Sequence, residues 1–495
     1  MGHPARAQKR MKMPNLEEQV PPRETPGSGL SKRKSLRDEL LNLLTRLTPT
    51  ERQRLLLLTV VSGALCGLAA VAFHVGIDKA EALLINRAMA APHTWVFFTI
   101  LTPTLGGLVV GLVLHYFVPG AVGSGIPQVK YAYAVHAGRI PFRDAIGKFV
   151  LGIIQVGSGA SLGREGPTVH ICSAISNLFA RAANLSRQGQ RRMTPVGVAA
   201  GIAAAFNAPI AAVTFTLEEV VGDLDQTMLS GIIVAAALAA VVERTILGRH
   251  PVFFLQRSYD MGPALSLVSF AILGLLAAVV SVAFTESLLD FRAWFKRLKT
   301  LPKWAHPAIG GALTGLLAVF ALVFLKHDGV TGGGYRSLSL ALAGTLPFKV
   351  LIGLCVLKLV ATVASYSSGG AGGIFAPALF IGGMLEGAVD YVDVMVFHHS
   401  TDTIGAFALV GMGAVFAGII RAPMTSVLII FEMTGSYGLI LPLMIANMTA
   451  YALARHWRPM QIYEALLAQD GVTLPHGKAV DQPETKGELP GEVPP

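Results

Sequence analysis

Long apolar runs, broken by clusters of glycine and proline rather than by charged turns, dominate the pattern of this chain. From Leu55 to about Leu84 and from Trp95 to Phe117 the residues are nearly uncharged, with Gly63, Gly67 and Gly76 in the first run and Gly106, Gly107 and Gly111 in the second. Each run is long enough to cross a hydrocarbon core of ~30 Å. The spaced glycines predict faces on which helices approach closely. Further spans are expected at about 228–247, 263–290, 306–325 and 349–366, separated by basic loops such as Arg292–Arg297, with more apolar stretches at 403–420, 423–433 and 438–455. Shorter helices are predicted at 168–183, followed by a basic loop (Arg181, Arg187, Arg191, Arg192), from Val196 to Pro209, and at 210–220. The last closes on Glu218 and Glu219, which point about 100° apart on a helix, so that one can face protein while the other faces water.

The breaks carry the polar chemistry. In Ser158-Gly-Ala-Ser-Leu-Gly163-Arg164-Glu165-Gly166-Pro167 two charges stand within apolar sequence. A charge at the centre of a spanning helix costs roughly 2.5–3.5 kcal/mol on insertion scales, so it is tolerated facing protein, water or an ion. Pro167 suits the first turn of a new helix, where its missing N–H has no partner to lose. The stretch therefore reads as a helix start at membrane depth. Its free N–H groups and positive end make a desolvated anion site, with Glu165 as a built-in anion. A second break, Gly123-Ser124-Gly125-Ile126-Pro127-Gln128, places Ser124 as a helix N-cap whose hydroxyl is also able to donate to an anion, beside the N–H groups of Gly125 and Ile126; cap and site are equally good readings of it. A third runs from Ser365 through Gly373, Ile374 and Phe375 to Pro377.

Two blocks of the sequence recur. Ser158-Gly-x-x-x-Gly163-x-x-x-Pro167 returns as Ser368-Gly-x-x-x-Gly373-x-x-x-Pro377, 210 residues on, and the Val196 to Pro209 segment returns at Val410 to Pro423, 214 residues on. Glu218 and Glu432 each fall nine residues after their prolines. Matching Gly/Pro-interrupted segments in two membrane halves point to a site where broken helices meet near the midplane. With an odd number of crossings in each half, the halves are inverted and the positive ends of both helix starts converge on one anion. The expected organisation is a basic cytoplasmic tail over 1–54, a first membrane repeat over 55–247, a second over 248–467, and a disordered tail over 468–495.

Composition agrees with this picture and narrows it. Of 495 residues 53% are hydrophobic and 14% charged, against about 25% charged in soluble proteins, which makes this a polytopic membrane protein. The net charge of +10 resides in the tail and in connecting segments, so it is assigned to membrane orientation, N-terminus in the cytoplasm, and not to nucleic acid. Cys66, Cys172 and Cys355 stand in apolar runs without a paired pattern and are read as packing residues, with neither a metal site nor a disulfide framework. His74, His115 and His170 stand alone in apolar surroundings and are read as packed or interfacial. The absence of HExxH, GxSxG and P-loop patterns argues against an intramembrane enzyme.

Gly123-Ser124-Gly125-Ile126-Pro127, Gly163-Arg164-Glu165-Gly166-Pro167, Gly373-Ile374-Phe375-Ala376-Pro377 and the late Tyr463 resemble, in order and spacing, the signature stretches of the CLC chloride channel and transporter family. The likeness covers roughly residues 55–467. It implies an all-α, inverted-repeat helical membrane fold with broken helices, assembled as a homodimer with one anion pathway per subunit. It further implies that the hydroxyls of Ser124 and Tyr463 and the N–H groups of Ile374 and Phe375 coordinate the central anion, and that Glu165 is a gate whose carboxylate competes with anions and swings away when protonated. The proton-coupled branch carries an inner glutamate ten residues after the Asn-Ala-Pro proline, which here is Glu219. The resemblance thus favours a chloride/proton antiporter of prokaryotic form, in a bacterial inner membrane, with chloride as substrate and no cofactor; the alternative is a passive voltage- or pH-gated chloride channel. Ser124 fits the chloride-preferring pattern. Gln128, where many relatives have Glu, and Lys130 soon after it alter the acidic cluster there. The sequence leaves the parts played by Arg164, Lys148 and Lys130 open, and without the tandem regulatory domains of eukaryotic members nucleotide control is not expected.

Overall fold

A computed structural model describes residues 50–222, 226–248, 266–397 and 404–474; nearly all of the expected basic tail, and the C-terminal tail from 475 on, lie outside the described residues. The chain is all-helical apart from short connections and one isolated bridge among those residues. In order the helices are α1 (Glu51–Leu83), α2 (Ile85–Met89), α3 (Trp95–Tyr116), α4 (Ile126–Val135), α5 (Phe142–Gly157), α6 (Glu165–Ala182), α7 (Arg187–Phe206), α8 (Pro209–Phe215), α9 (Gln226–Leu247), α10 (Ser266–Arg297), α11 (His306–Phe320), α12 (Tyr335–Leu342), α13 (Phe348–Ser367), α14 (Phe375–Phe397), α15 (Ile404–Ile420), α16 (Pro423–Thr434), α17 (Ile440–Trp457) and α18 (Ile462–Gln469). Among the described residues, seven helical stretches are long and apolar enough to cross a membrane, including Glu51–Met89, Leu267–Arg297 and Phe348–Ser367.

Local chemistry sets the ends. Thr50 accepts from Gln53 N–H at 3.3 Å while the Gln53 side chain accepts from Thr50 N–H at 3.3 Å, a reciprocal cap that starts α1 ahead of its apolar run. Two segments expected as basic loops are helical instead. Arg187, Arg191 and Arg192 lie in α7 because Ser186 caps it through Gly189 N–H, and Arg181 belongs to the last turn of α6. Arg292 to Arg297 continue α10, where Arg292 and Lys296 reach Asp470 at 2.8 and 2.6 Å. Hydropathy marks where a helix leaves hydrocarbon, not where its hydrogen bonding stops. The helix α12 falls in a stretch for which the apolar pattern predicts no element.

The repeated blocks make reciprocal contacts. Gly163 and Gly373 exchange backbone hydrogen bonds, each 2.7 Å, in antiparallel sense. Glu218 accepts from Met424 N–H (3.1 Å), Thr425 N–H (2.9 Å) and the Thr425 hydroxyl (2.6 Å), while Glu432 accepts from Ile210 N–H (3.1 Å) and Ala211 N–H (2.7 Å). Each carboxylate therefore caps the N-terminus of the short helix in the other half, where unsatisfied N–H groups and the dipole favour negative charge. The fold is the inverted-repeat helical bundle with broken helices expected from the sequence.

Candidate functional site

The two broken helices start side by side. Glu165 is the first residue of α6 and Phe375 the first of α14, and the paired Gly163 and Gly373 fix the approach of both starts. The first N–H groups of each helix, those of Ile374 and Phe375 included, have no acceptor within their own helix. Gly166 brings in the third break: a Cβ there would stand 2.7 Å from the Ser124 carbonyl oxygen and 2.9 Å from Ser124 Cβ, so this crossing of backbones requires glycine. The Phe375 ring lies 6.4 Å from that of Tyr463 on α18 and packs against Phe215 at 5.3 Å and Phe416 at 5.0 Å. Contacts thus run without a gap from Ser124 through Gly166 and Gly373 to Phe375 and Tyr463.

Ser124, Glu165, Ile374, Phe375 and Tyr463 are all completely buried. The Tyr463 hydroxyl has no hydrogen-bond partner among the described residues, and the Ser124 hydroxyl, with the Tyr366 phenol beside it, makes no bond of normal hydrogen-bonding geometry among them. Leaving a buried donor unpaired costs about 1–3 kcal/mol, and these two hydroxyls beside free helix N–H groups form a site suited to a small anion. One expectation is corrected here. Ser124 does not cap α4, because Gly125 occupies the cap position in a left-handed turn (φ 92°) and no side chain bonds the first turn. That turn sets Ser124 one residue too early to reach the helix N–H groups, so its hydroxyl stays available. Pro127, Pro167 and Pro377 sit in the first turns of α4, α6 and α14, where no N–H is lost.

Glu165 is held from two sides: the Tyr335 hydroxyl donates to Oε1 at 2.6 Å and Ala376 N–H donates to Oε2 at 3.4 Å. Arg164 turns away from its neighbour and lies over the Tyr335 ring, 5.3 Å from its centroid. Sequence reasoning missed Tyr335. The repeat offers a way to find it through the lysines. Buried Lys148 donates to the carbonyls of Val122 (2.9 Å) and Gly123 (2.7 Å), and Lys358, 210 residues on and equally buried, donates to those of Val330 (3.1 Å) and Gly332 (2.6 Å). Each ammonium clamps the glycine loop that opens a short helix, α4 in one case and α12 in the other. Lys148 therefore serves the loop carrying Ser124 and, among the described residues, does not pair with a carboxylate at hydrogen-bond distance.

A second acidic site lies where α8 widens into a π-helical turn over Thr216–Val221, a distortion frequent at functional positions. It separates the adjacent glutamates: Glu218 reaches α16 as described, and Glu219 is buried and accepts from Lys130 Nζ at 2.8 Å. Lys130 also reaches Gln461 Oε1 at 3.1 Å and Glu464 at 3.6 Å, the latter beside Tyr463 on α18. Lys130 is thus the hub of an ion-pair network ending at a buried acid.

Outside these sites, Cys66 and Cys172 are free and bond each other's backbone carbonyls at 3.4 and 3.6 Å. His74 does not stand alone but meets Asp78 at 3.3 Å, one turn further along α1.

Buried helix starts, buried hydroxyls and a carboxylate at their meeting point, within a multi-pass apolar bundle, define an integral membrane protein built around an ion-sized site. Residues 106–455 match the family described as voltage gated chloride channel. The H(+)/Cl(-) exchange transporters ClcA of Salmonella paratyphi B and Salmonella newport are each 30% identical over 442 residues, which is 88% of this chain and 92% of theirs. Among solved structures, a slow cyanobacterial Cl-/H+ antiporter superposes with a TM-score of 0.76 at 28% identity, covering 84% of this chain and 97% of that one. A CLC-type fluoride/proton antiporter, 24% identical with a TM-score of 0.68 over 83% of this chain and 97% of its own, shares the fold. The chain belongs to the CLC family of voltage gated chloride channels and transporters.

Proposed function

We propose that this protein exchanges chloride for protons. The observation that carries the reading is the pairing of two buried carboxylates with distinct surroundings, Glu165 at the meeting helix starts and Glu219 beside Lys130. In this reading chloride binds between the hydroxyls of Ser124 and Tyr463, with the N–H groups of Ile374 and Phe375 beside them. Helix dipoles supply a partial positive field, each end worth up to ~2 kcal/mol when partly buried, which offsets dehydration without holding the ion too tightly to leave. Glu165 acts as gate, an anion mimic when ionised and a proton carrier when neutral. Glu219 receives protons from the inner side and passes them on, so the two fluxes are linked through one carboxylate that alternates with chloride. The names of the ClcA relatives and of the cyanobacterial neighbour support this choice. Residues 55–247 and 248–467 form the two repeats, the subunit works as a homodimer, and the N-terminus faces the cytoplasm of a bacterial inner membrane.

The test is coupled flux in liposomes. A chloride gradient across the membrane drives protons uphill with the wild type. Glu219→Gln retains chloride flux and loses proton movement, and Glu165→Ala conducts chloride without coupling. Chloride flux that never moves protons in the wild type would identify a passive channel instead.

A further inference from the structure

The Glu165 carboxylate is held by a side chain that the exchange cycle above does not use. The Tyr335 hydroxyl donates to it at 2.6 Å, within the ~2.5–2.7 Å range of charge-assisted O–H to carboxylate bonds, which are about twice as strong as neutral ones. We propose that Tyr335 is a positioning residue that latches the gate: it stabilises the ionised carboxylate in the anion position and so sets how strongly chloride must compete to displace it. The proposal rests on the gating role of Glu165.

Three features make the latch rigid. Tyr335 is the first residue of α12, directly after Gly334 in a left-handed conformation (φ 77°). The loop ahead of it is pinned by Lys358 through the carbonyls of Val330 and Gly332. The ring itself is stacked under the Arg164 guanidinium at 5.3 Å, so the phenol, with two side-chain torsions, has little freedom left. Arg164 comes from the residue before Glu165, and the same short segment therefore supplies both the gate and the clamp on its latch.

The hydroxyl has one proton to donate. That proton is engaged by the Glu165 carboxylate, so the bond must break before the carboxylate can leave the anion position. The arrangement also mirrors the other half. Gly125 (φ 92°) precedes α4 as Gly334 precedes α12, and Lys148 clamps that loop as Lys358 clamps this one. One loop presents Ser124 with its hydroxyl in no bond of normal geometry among the described residues, while the other presents Tyr335 with its hydroxyl on the carboxylate. Two copies of one device thus serve opposite ends, one to receive the ion and one to hold its competitor.

Chloride titration calorimetry on the full chain in detergent tests this with four proteins: wild type, Tyr335→Phe, Glu165→Gln and the double variant, with thermal unfolding run alongside. Glu165→Gln raises chloride affinity, as the gating role requires. Tyr335→Phe raises it by about tenfold in the wild-type background and by less than about twofold in the Glu165→Gln background, a tenfold change being about 1.4 kcal/mol. An unchanged affinity for Tyr335→Phe alone, with Glu165→Gln still raised, overturns the latch and leaves the gate. An equal change in both backgrounds, or weaker binding in the double variant than in Glu165→Gln, overturns it in favour of direct ligation of chloride by Tyr335. Should Glu165→Gln leave affinity unchanged, the gate fails and the latch with it. Tyr335→Trp, which keeps an aromatic face for Arg164 but moves the donor, repeats the comparison if the Phe variant does not fold.

Discussion

Glu218 and Glu219 are neighbours in sequence, yet the structure gives them separable tasks, and replacing each in turn should show it. Glu218 accepts three hydrogen bonds at the start of α16, from Met424 N–H, Thr425 N–H and the Thr425 hydroxyl. Loss of a capping side chain costs about 0.5–2 kcal/mol, and the favourable charge at a partly buried helix N-terminus is worth up to ~2 kcal/mol. These two effects share the same bonds, so Glu218→Ala should cost about 2 kcal/mol, roughly a thirtyfold change in the folded-to-unfolded ratio. Glu219→Gln keeps an acceptor oxygen for Lys130, which also retains Glu464 and Gln461. Its stability cost should stay near ~1 kcal/mol, within the range of an ordinary hydrogen bond. Thermal unfolding in detergent and coupled flux in liposomes read the two effects separately. Glu218→Ala should unfold earlier while still moving protons against a chloride gradient; Glu219→Gln should unfold near the wild type while moving chloride alone. The opposite assignment, with Glu218→Ala uncoupled at full stability, would refute the reasoning.

Other outcomes follow from the same geometry. Gly166→Ala forces a Cβ to within 2.7 Å of the Ser124 carbonyl oxygen; overpacking of this kind costs about 1–3 kcal/mol, and calorimetry should show chloride binding weakened along with stability. Lys148→Met removes the donor to the Gly123 carbonyl and leaves that of Val122 with the Gln128 side chain alone, so the loop carrying Ser124 should gain hydrogen-exchange rate, and Lys358→Met should do the same for the loop before Tyr335 and not for the Ser124 loop. Lys130→Met leaves Glu219 buried without its ion-pair partner; removing one partner of a buried pair costs about 3–5 kcal/mol, and this variant should be the least stable of the set by thermal unfolding.

Much of this architecture was written in the spacing of glycines and prolines. The breaks at Gly163 and Gly373 face one another because the two blocks are copies, and the copying is visible in one dimension. Glu165 stood out because charge is costly in hydrocarbon; an adjacent pair on a helix must diverge, but it was the family resemblance that chose Glu219 over Glu218. What the pattern concealed has physical reasons too. The eight-residue α12 has no long apolar run to announce it, so Tyr335 passed unnoticed. The arginines of α7 and of the end of α10 are polar residues within hydrogen-bonded helix, which hydropathy reads as loop. Ser124 has the side chain of a cap, and it was the left-handed turn at Gly125, a property of the backbone, that moved it out of that role. The part played by Lys148 stayed open because its burial is satisfied by backbone carbonyls, which leave no trace in side-chain identity.

The central claim is that helix starts from two halves of the chain converge with two hydroxyls on one buried anion. Bromide, located by its anomalous scattering in crystals of the full chain, tests it most directly. The account predicts a peak within about 3.5 Å of Ser124 Oγ and Tyr463 Oη, in line with the upper end of hydrogen-bonding distances, and a second peak at the carboxylate position when Glu165 is replaced by Gln. Bromide bound elsewhere in the bundle, with both hydroxyls untouched, would contradict it.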